Sequence, residues 1–283
     1  MHSFASPQPR IANSKQEQLL TTHYSLIDGA SKLMQNFRRD GVEIAFLDEG
    51  AGDPVVLIHG FASNAAVNWV QPGWIATLTR AGRRAIALDL RGHGASTKLY
   101  DPAAYHSAIM AKDVRALMDR LGVTKVDAMG YSMGARIAAY LALAHPERVR
   151  SLIFGGLGSR LVEGDGLPDS IAVALEAPSL DEVHDPLGKM FRSFAEQTGS
   201  DLKALAACLR GSRQTLTRED VRALRVPALV AVGEKDQIAG SAERLAELLP
   251  AGEALEIPSR DHMLSVGDKV FKAGVLSFLA RRP

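Results

Sequence analysis

From residue 36 onward, short apolar runs alternate with longer stretches of helical period. This pattern predicts the α/β class: a mostly parallel central sheet flanked by helices on both faces. Runs at 37–39 and 42–47 flank Asp40-Gly41, a two-residue hairpin signal, so an antiparallel ribbon is expected to open the sheet. Buried strands are expected at 54–58, 84–89, 126–129, 149–154, 228–232 and 254–257. Between them Met110, Val114, Leu117, Met118 and Leu121 mark one helical stripe that Gly122 ends. A second stripe of Met133, Ile137, Tyr140, Leu141 and Ala144 stops at His145-Pro146, because the residue before a proline resists helical geometry.

Between Gly158 and Arg225 the strand pattern vanishes. Capping patterns at 179–182 and 217–220, with Pro168, Pro178 and Pro186 between helical stretches, predict several short helices forming an inserted cap. The expected organisation is a polar tail or arm at 1–35, a core at 36–157 and 226–283, and a helical cap at 158–225.

Composition narrows the function classes. The formal net charge of +1, from 33 Lys+Arg against 32 Asp+Glu, supplies no field for nucleic acid or an anionic membrane, and no transmembrane run occurs. Cys208 is the single cysteine, which excludes an internal disulfide or a cysteine metal cluster and favours a reducing, cytoplasmic setting. The polar residues 1–35 hold no apolar stretch that would make a signal-peptide core. A small, largely apolar substrate is expected, with no nucleic-acid or membrane partner; oligomeric state is open.

The chemistry centres on Gly130-Tyr131-Ser132-Met133-Gly134. A Gly-x-Ser-x-Gly string between a buried strand and an amphipathic helix is the strand-to-helix elbow that lifts a serine hydroxyl above a sheet. Serine is a weak nucleophile at neutral pH, so it needs a base and a group to orient that base. His262, in the loop after the last expected strand, is the base candidate; Asp236, after 228–232, is the preferred orienting acid, with Glu234 in the same loop as its rival. Oxyanion donors are expected from the backbone amides of Met133 and Phe61, the latter in the His59-Gly60-Phe61 loop after 54–58.

Taken in order, His59-Gly60-Phe61, Asp89-Leu90-Arg91-Gly92-His93-Gly94-Ala95-Ser96, the serine elbow, Gly233-x-x-Asp236 and Asp261-His262 resemble the α/β-hydrolase superfamily over roughly residues 40–280. The resemblance implies a Ser132, Asp236, His262 triad, no cofactor and no metal. It also implies that 89–96 is a structural turn, so that His93 is not catalytic. Epoxide hydrolases and haloalkane dehalogenases carry aspartate where this chain has Ser132; ring-cleavage carbon–carbon hydrolases usually carry tryptophan after the histidine, where Met263 and Leu264 follow here. Perhydrolase-like members have further small residues after the elbow, which Ala135-Arg136 does not match distinctively.

The expected activity is a serine carboxylesterase acting through an acyl-enzyme. The alternatives are a lactone or carbon–carbon (diketone) hydrolase with the same triad, or a non-catalytic ligand receptor on a hydrolase shell. Gly156-Leu157-Gly158 lacks the third glycine of a dinucleotide loop and reads as a flexible exit into the cap; Trp69 and Trp74 read as core or pocket wall within one helix, and Cys208 as a small buried hydrophobe.

Overall fold

The hairpin forms where the sequence asks for it. β1 (Gln35–Arg39) and β2 (Val42–Glu49) are antiparallel with Arg39 opposite Val42. Asp40 and Gly41 turn between them with φ of 50° and 80°, the positive pair that a twisted two-residue loop requires. The computed structural model describes residues 34–164 and 166–282, so all but two residues of the expected 1–35 tail lie outside the described ones. Gln35–Pro283 make one compact unit, and every element here belongs to it.

Six further strands complete the sheet: β3 (Asp53–Ile58), β4 (Arg83–Leu88), β5 (Val126–Tyr131), β6 (Val149–Gly155), β7 (Ala228–Gly233) and β8 (Gly252–Ile257). The spatial order is β1-β2-β4-β3-β5-β6-β7-β8, with β4 through β8 mutually parallel. β3 to β7 read as continuous apolar runs because both of their faces are covered. β8 differs from the buried strand expected there. It is the sheet edge, and only Ile257 of its six residues is buried.

The helices are α1 (Trp74–Arg80), α2 (Ser107–Arg120), α3 (Met133–Ala144), α4 (Ser170–Glu176), α5 (Pro186–Gln197), α6 (Leu202–Gly211), α7 (Arg218–Ala223), α8 (Ala242–Ala246) and α9 (Lys269–Arg281). Alternation along β3 sorts them. Val56 and Ile58 join a cluster with Met110, Val114 and Leu117 of α2 and with Ile137 and Leu141 of α3. Trp74 of α1 and Phe271 of α9 meet edge to face, 5.1 Å apart, outside that cluster. Trp69 and Trp74 are fully buried, but they occupy two elements rather than one: Trp69 lies in a separate turn at Ala66–Val70, and Gly73 at φ 80° intervenes.

α4 to α7 lie between β6 and β7. The capping box at Thr217 and Asp220 is present and starts α7. The pattern at 179–182 does not start an α-helix; it makes only a short 3-10 turn, and α5 begins at Pro186, where the Asp185 carboxylate accepts from the Gly188 amide. Proline at the first helical position needs no donor, and that settles the start. Gly156-Leu157-Gly158 is a packed crossing, not a flexible exit. All three residues are buried, and a Cβ on Gly158 would lie 2.4 Å from the Ser241 carbonyl oxygen. Among the described residues, no helix is long and apolar enough to cross a membrane.

Candidate active site

The carboxyl ends of β3, β5, β7 and β8 open to the same edge of the sheet, where open α/β sheets hold their ligands. Ser132 leaves β5 at φ 53°, ψ −113° and caps α3. Such a backbone is held only by close packing around it. A Cβ on Gly130 would fall 2.2 Å from the Gly134 carbonyl, and one on Gly134 would fall 2.0 Å from the Ile58 oxygen. The two glycines of the motif therefore let α3 start directly against β5 and β3.

His262 Nε2 lies 3.1 Å from Ser132 Oγ, and its Nδ1 lies 2.8 Å from Asp236 Oδ2. An ionised carboxylate only accepts, so Nδ1 carries the proton and Nε2 is left to accept from the serine. The second Asp236 oxygen, Oδ1, accepts from the amides of Ile238 and Ala239 at 2.8 and 2.9 Å. The carboxylate is fully buried, and His262 is 7% exposed. Ser132, Asp236 and His262 thus meet in one hydrogen-bonded chain.

Glu234, the rival acid, is turned elsewhere. Its carboxylate accepts from the Ser259 amide at 2.6 Å, while the Lys235 amide donates to the Arg260 carbonyl at 2.9 Å. These bonds pin the loop that carries Asp236 to the loop that carries His262. Tyr131 makes a third anchor that sequence reasoning missed: its hydroxyl donates to the His262 carbonyl at 2.5 Å. Burial pushes that phenol well above its ordinary pKa, so it remains a donor. Its position as the variable residue of the motif carried no signal of this, because the partner lies 131 residues away.

Phe61 and Met133 both border the space above Ser132, and among the described residues neither amide donates to another protein group. His59 is structural. Its Nε2 accepts from the Leu90 amide at 2.9 Å, leaving Nδ1 to donate to the Gly60 carbonyl, and burial pulls its pKa down to about 4. His93 is fully buried with its ring 5.1 Å from that of His59, and it lines neither of the cavities beside Ser132. Asp89 closes the same turn by accepting from the Ala65 and Ala95 amides at 2.8 and 2.7 Å. Cys208, on α6, is fully buried with its Sγ 3.9 Å from Met133 Sδ, and burial pushes its thiol up to about 12.

Two cavity lobes meet at Ser132 and Phe61. One, of about 210 Å³, is bordered by Leu187 of α5 and Leu209 of α6 and runs past Arg136, Leu157 and Ile238. The other, of about 140 Å³, is walled by Phe191, Phe194, Val266 and His262.

A family model for the alpha/beta hydrolase fold matches residues 53–169. The chain is 28% identical over 272 residues to the non-heme chloroperoxidase CPO-A1 of Kitasatospora aureofaciens, covering 85% of this chain and 97% of that one. It is 33% identical over 234 residues to the dihydrolipoyllysine-residue acetyltransferase component of the acetoin cleaving system of Pseudomonas putida; the match covers 76% of this chain and 60% of that relative. Among solved structures, a thermophilic esterase from Thermogutta terrifontis superposes with a TM-score of 0.68 at 25% identity, covering 88% of this chain and 97% of that one. The chain belongs to the α/β-hydrolase superfamily.

Proposed function

We propose that the protein is a serine hydrolase that cleaves carboxylic esters of small substrates through an acyl-enzyme. The observation that carries this reading is the continuous chain from Asp236 through His262 to Ser132 at 2.8 and 3.1 Å, with two uncommitted amides beside the hydroxyl. His262 Nε2 takes the hydroxyl proton as Ser132 Oγ bonds to the ester carbonyl carbon. The Phe61 and Met133 amides receive the negative charge that develops on the carbonyl oxygen. The imidazolium then gives its proton to the departing alcohol oxygen as the carbon–oxygen bond breaks. Water, deprotonated in turn by His262, opens the acyl-serine and restores the enzyme. No step needs a cofactor or metal, and the substrate is a small molecule rather than a macromolecule or a lipid surface.

The esterase from Thermogutta terrifontis, similar over most of both chains, supports this reading. Ser132→Ala should abolish turnover of a short para-nitrophenyl ester while leaving the circular dichroism spectrum and melting temperature near those of the wild type. A fluorophosphonate probe should label wild-type Ser132 and leave the variant unlabelled. Undiminished turnover by the variant would exclude the mechanism, and folded wild-type protein that takes up no probe would favour a binding protein on the same scaffold.

A further inference from the structure

The two lobes at Ser132 differ in charge. The larger is lined by Arg136, Arg160 and Arg213, with no aspartate or glutamate among its described lining residues. The smaller has no lysine or arginine among its described lining residues.

Arg136 is the most buried of the three. It is 7% exposed and sits one helical turn beyond Ser132, its amide 3.4 Å from the Ser132 carbonyl oxygen. A guanidinium removed from water normally takes a carboxylate partner. The other buried arginines have one: Arg91 donates to Asp113 at 2.7 and 2.9 Å, and Arg192 to Glu196 at 2.7 Å. Arg136 has main-chain carbonyls only, with Nη1 donating to Gln214 at 2.6 Å and Leu161 at 3.4 Å, and Nη2 to Arg160 at 3.3 Å. A guanidinium carries five N–H donors, more than these three acceptors occupy, and it stays protonated even where burial lowers its pKa. The remaining lining includes Leu157, Leu167, Leu187 and Ile238, so the lobe that holds the serine sets apolar walls beside a buried cation.

The mechanism decides which half of an ester enters this lobe. His262 must return its proton to the leaving oxygen, so the alcohol departs on the histidine side. His262 lines the smaller lobe and is absent from the larger, which leaves the larger lobe for the acyl group.

We propose that the acyl half of the substrate ends in a carboxylate held by Arg136 in the larger lobe, with the more exposed Arg160 adding positive charge. The substrate class is then monoesters of short dicarboxylic acids with an apolar alcohol. This rests on the ester-hydrolase reading and names its substrate.

The para-nitrophenyl monoester of glutarate and para-nitrophenyl pentanoate match in chain length and release the same phenolate. The monoester should have the higher kcat/KM by about tenfold or more, the increment of one charge-assisted hydrogen bond, and the gap should narrow with salt. Moving the carboxylate to the alcohol half, as the pentanoate ester of para-hydroxybenzoate against phenyl pentanoate, should bring no such gain. In Arg136→Gln the monoester-to-pentanoate ratio should fall to about one, and Arg160→Gln should lower it in part. An equal or reversed wild-type ratio overturns the proposal, as does a preference on the alcohol side; these outcomes need no variant to fold. If neither ester is turned over, the ester reading fails, and calorimetry decides the anion site separately. Pentanoate should bind Ser132→Ala protein at least about tenfold more tightly than pentanamide, and equal binding overturns the site.

Discussion

At the scale of single residues, the partners of Asp236 fix more than its position. Oδ1 is held by two amide donors, so an asparagine at this site would keep its carbonyl oxygen toward Ile238 and Ala239 and present its NH₂ to His262. That forces Nδ1 to accept, moves the ring proton to Nε2, and leaves the base unable to take a proton from Ser132. Asp236→Asn should therefore lower kcat on the order of 10⁴-fold with little change in melting temperature. A variant within tenfold of wild type would show that Asp236 does not set the tautomer. Which of two acids in Gly233-Glu234-Lys235-Asp236 faces the histidine is decided by tertiary contacts, with Ser259 claiming one and His262 the other. The order of serine, acid and histidine was readable along the chain because it follows strand order. The roles of Glu234, Tyr131 and Arg136 were not, since each depends on a partner more than twenty residues away.

At the scale of elements, the elbow is a junction of three backbones, with α3 meeting β3 and β5 through glycines. Gly134→Ala would press a methyl group onto the Ile58 and His59 carbonyl oxygens at 2.0 and 2.6 Å. Separating helix from strand costs at least about 1–3 kcal/mol, so thermal denaturation should show a clear drop in melting temperature and loss of ester turnover together. An unchanged melting temperature would mean that the helix can shift freely. Strands β3 to β7 were legible as apolar runs because burial on both faces selects apolar side chains, the buried exceptions Asp127 and Ser151 being hydrogen-bonded to each other. β8 misled for the complementary reason. Its residues Gly252-Glu253-Ala254-Leu255-Glu256-Ile257 hold enough apolar character to read as a core strand, while its place at the sheet edge is a property of topology. The helices between β6 and β7 were legible in kind, and their starts depended on which cap won: Thr217 with Asp220 succeeded, and Ser179 lost to Asp185-Pro186.

At the scale of the whole molecule, buried histidines tie stability to pH. Burial pulls His59 and His93 from 6.5 down to about 4 and about 3 in the fold. Near and below pH 6.5 the unfolded chain takes up protons that the folded chain refuses. Their contribution is thus complete above that pH and is lost as pH falls, by about 1.4 kcal/mol per unit for each histidine, until the folded values are reached. Asp89, whose carboxyl is raised by burial, works in the opposite sense and offsets part of the loss. Guanidinium unfolding midpoints should fall between pH 7 and pH 5, and His93→Leu, which removes a ring whose Nε2 has no partner, should flatten the decline. Midpoints independent of pH would show that these rings do not titrate on unfolding. Sheet order has a consequence for synthesis as well. Ser132 leaves the ribosome 130 residues ahead of His262, and the histidine reaches it only after β7 has paired with β6 and β8 with β7. Until that edge strand is in register the emerging chain carries Ser132 as an ordinary alcohol, so the hydrogen-bonded chain to Asp236 is completed only once β8 has been added to the sheet.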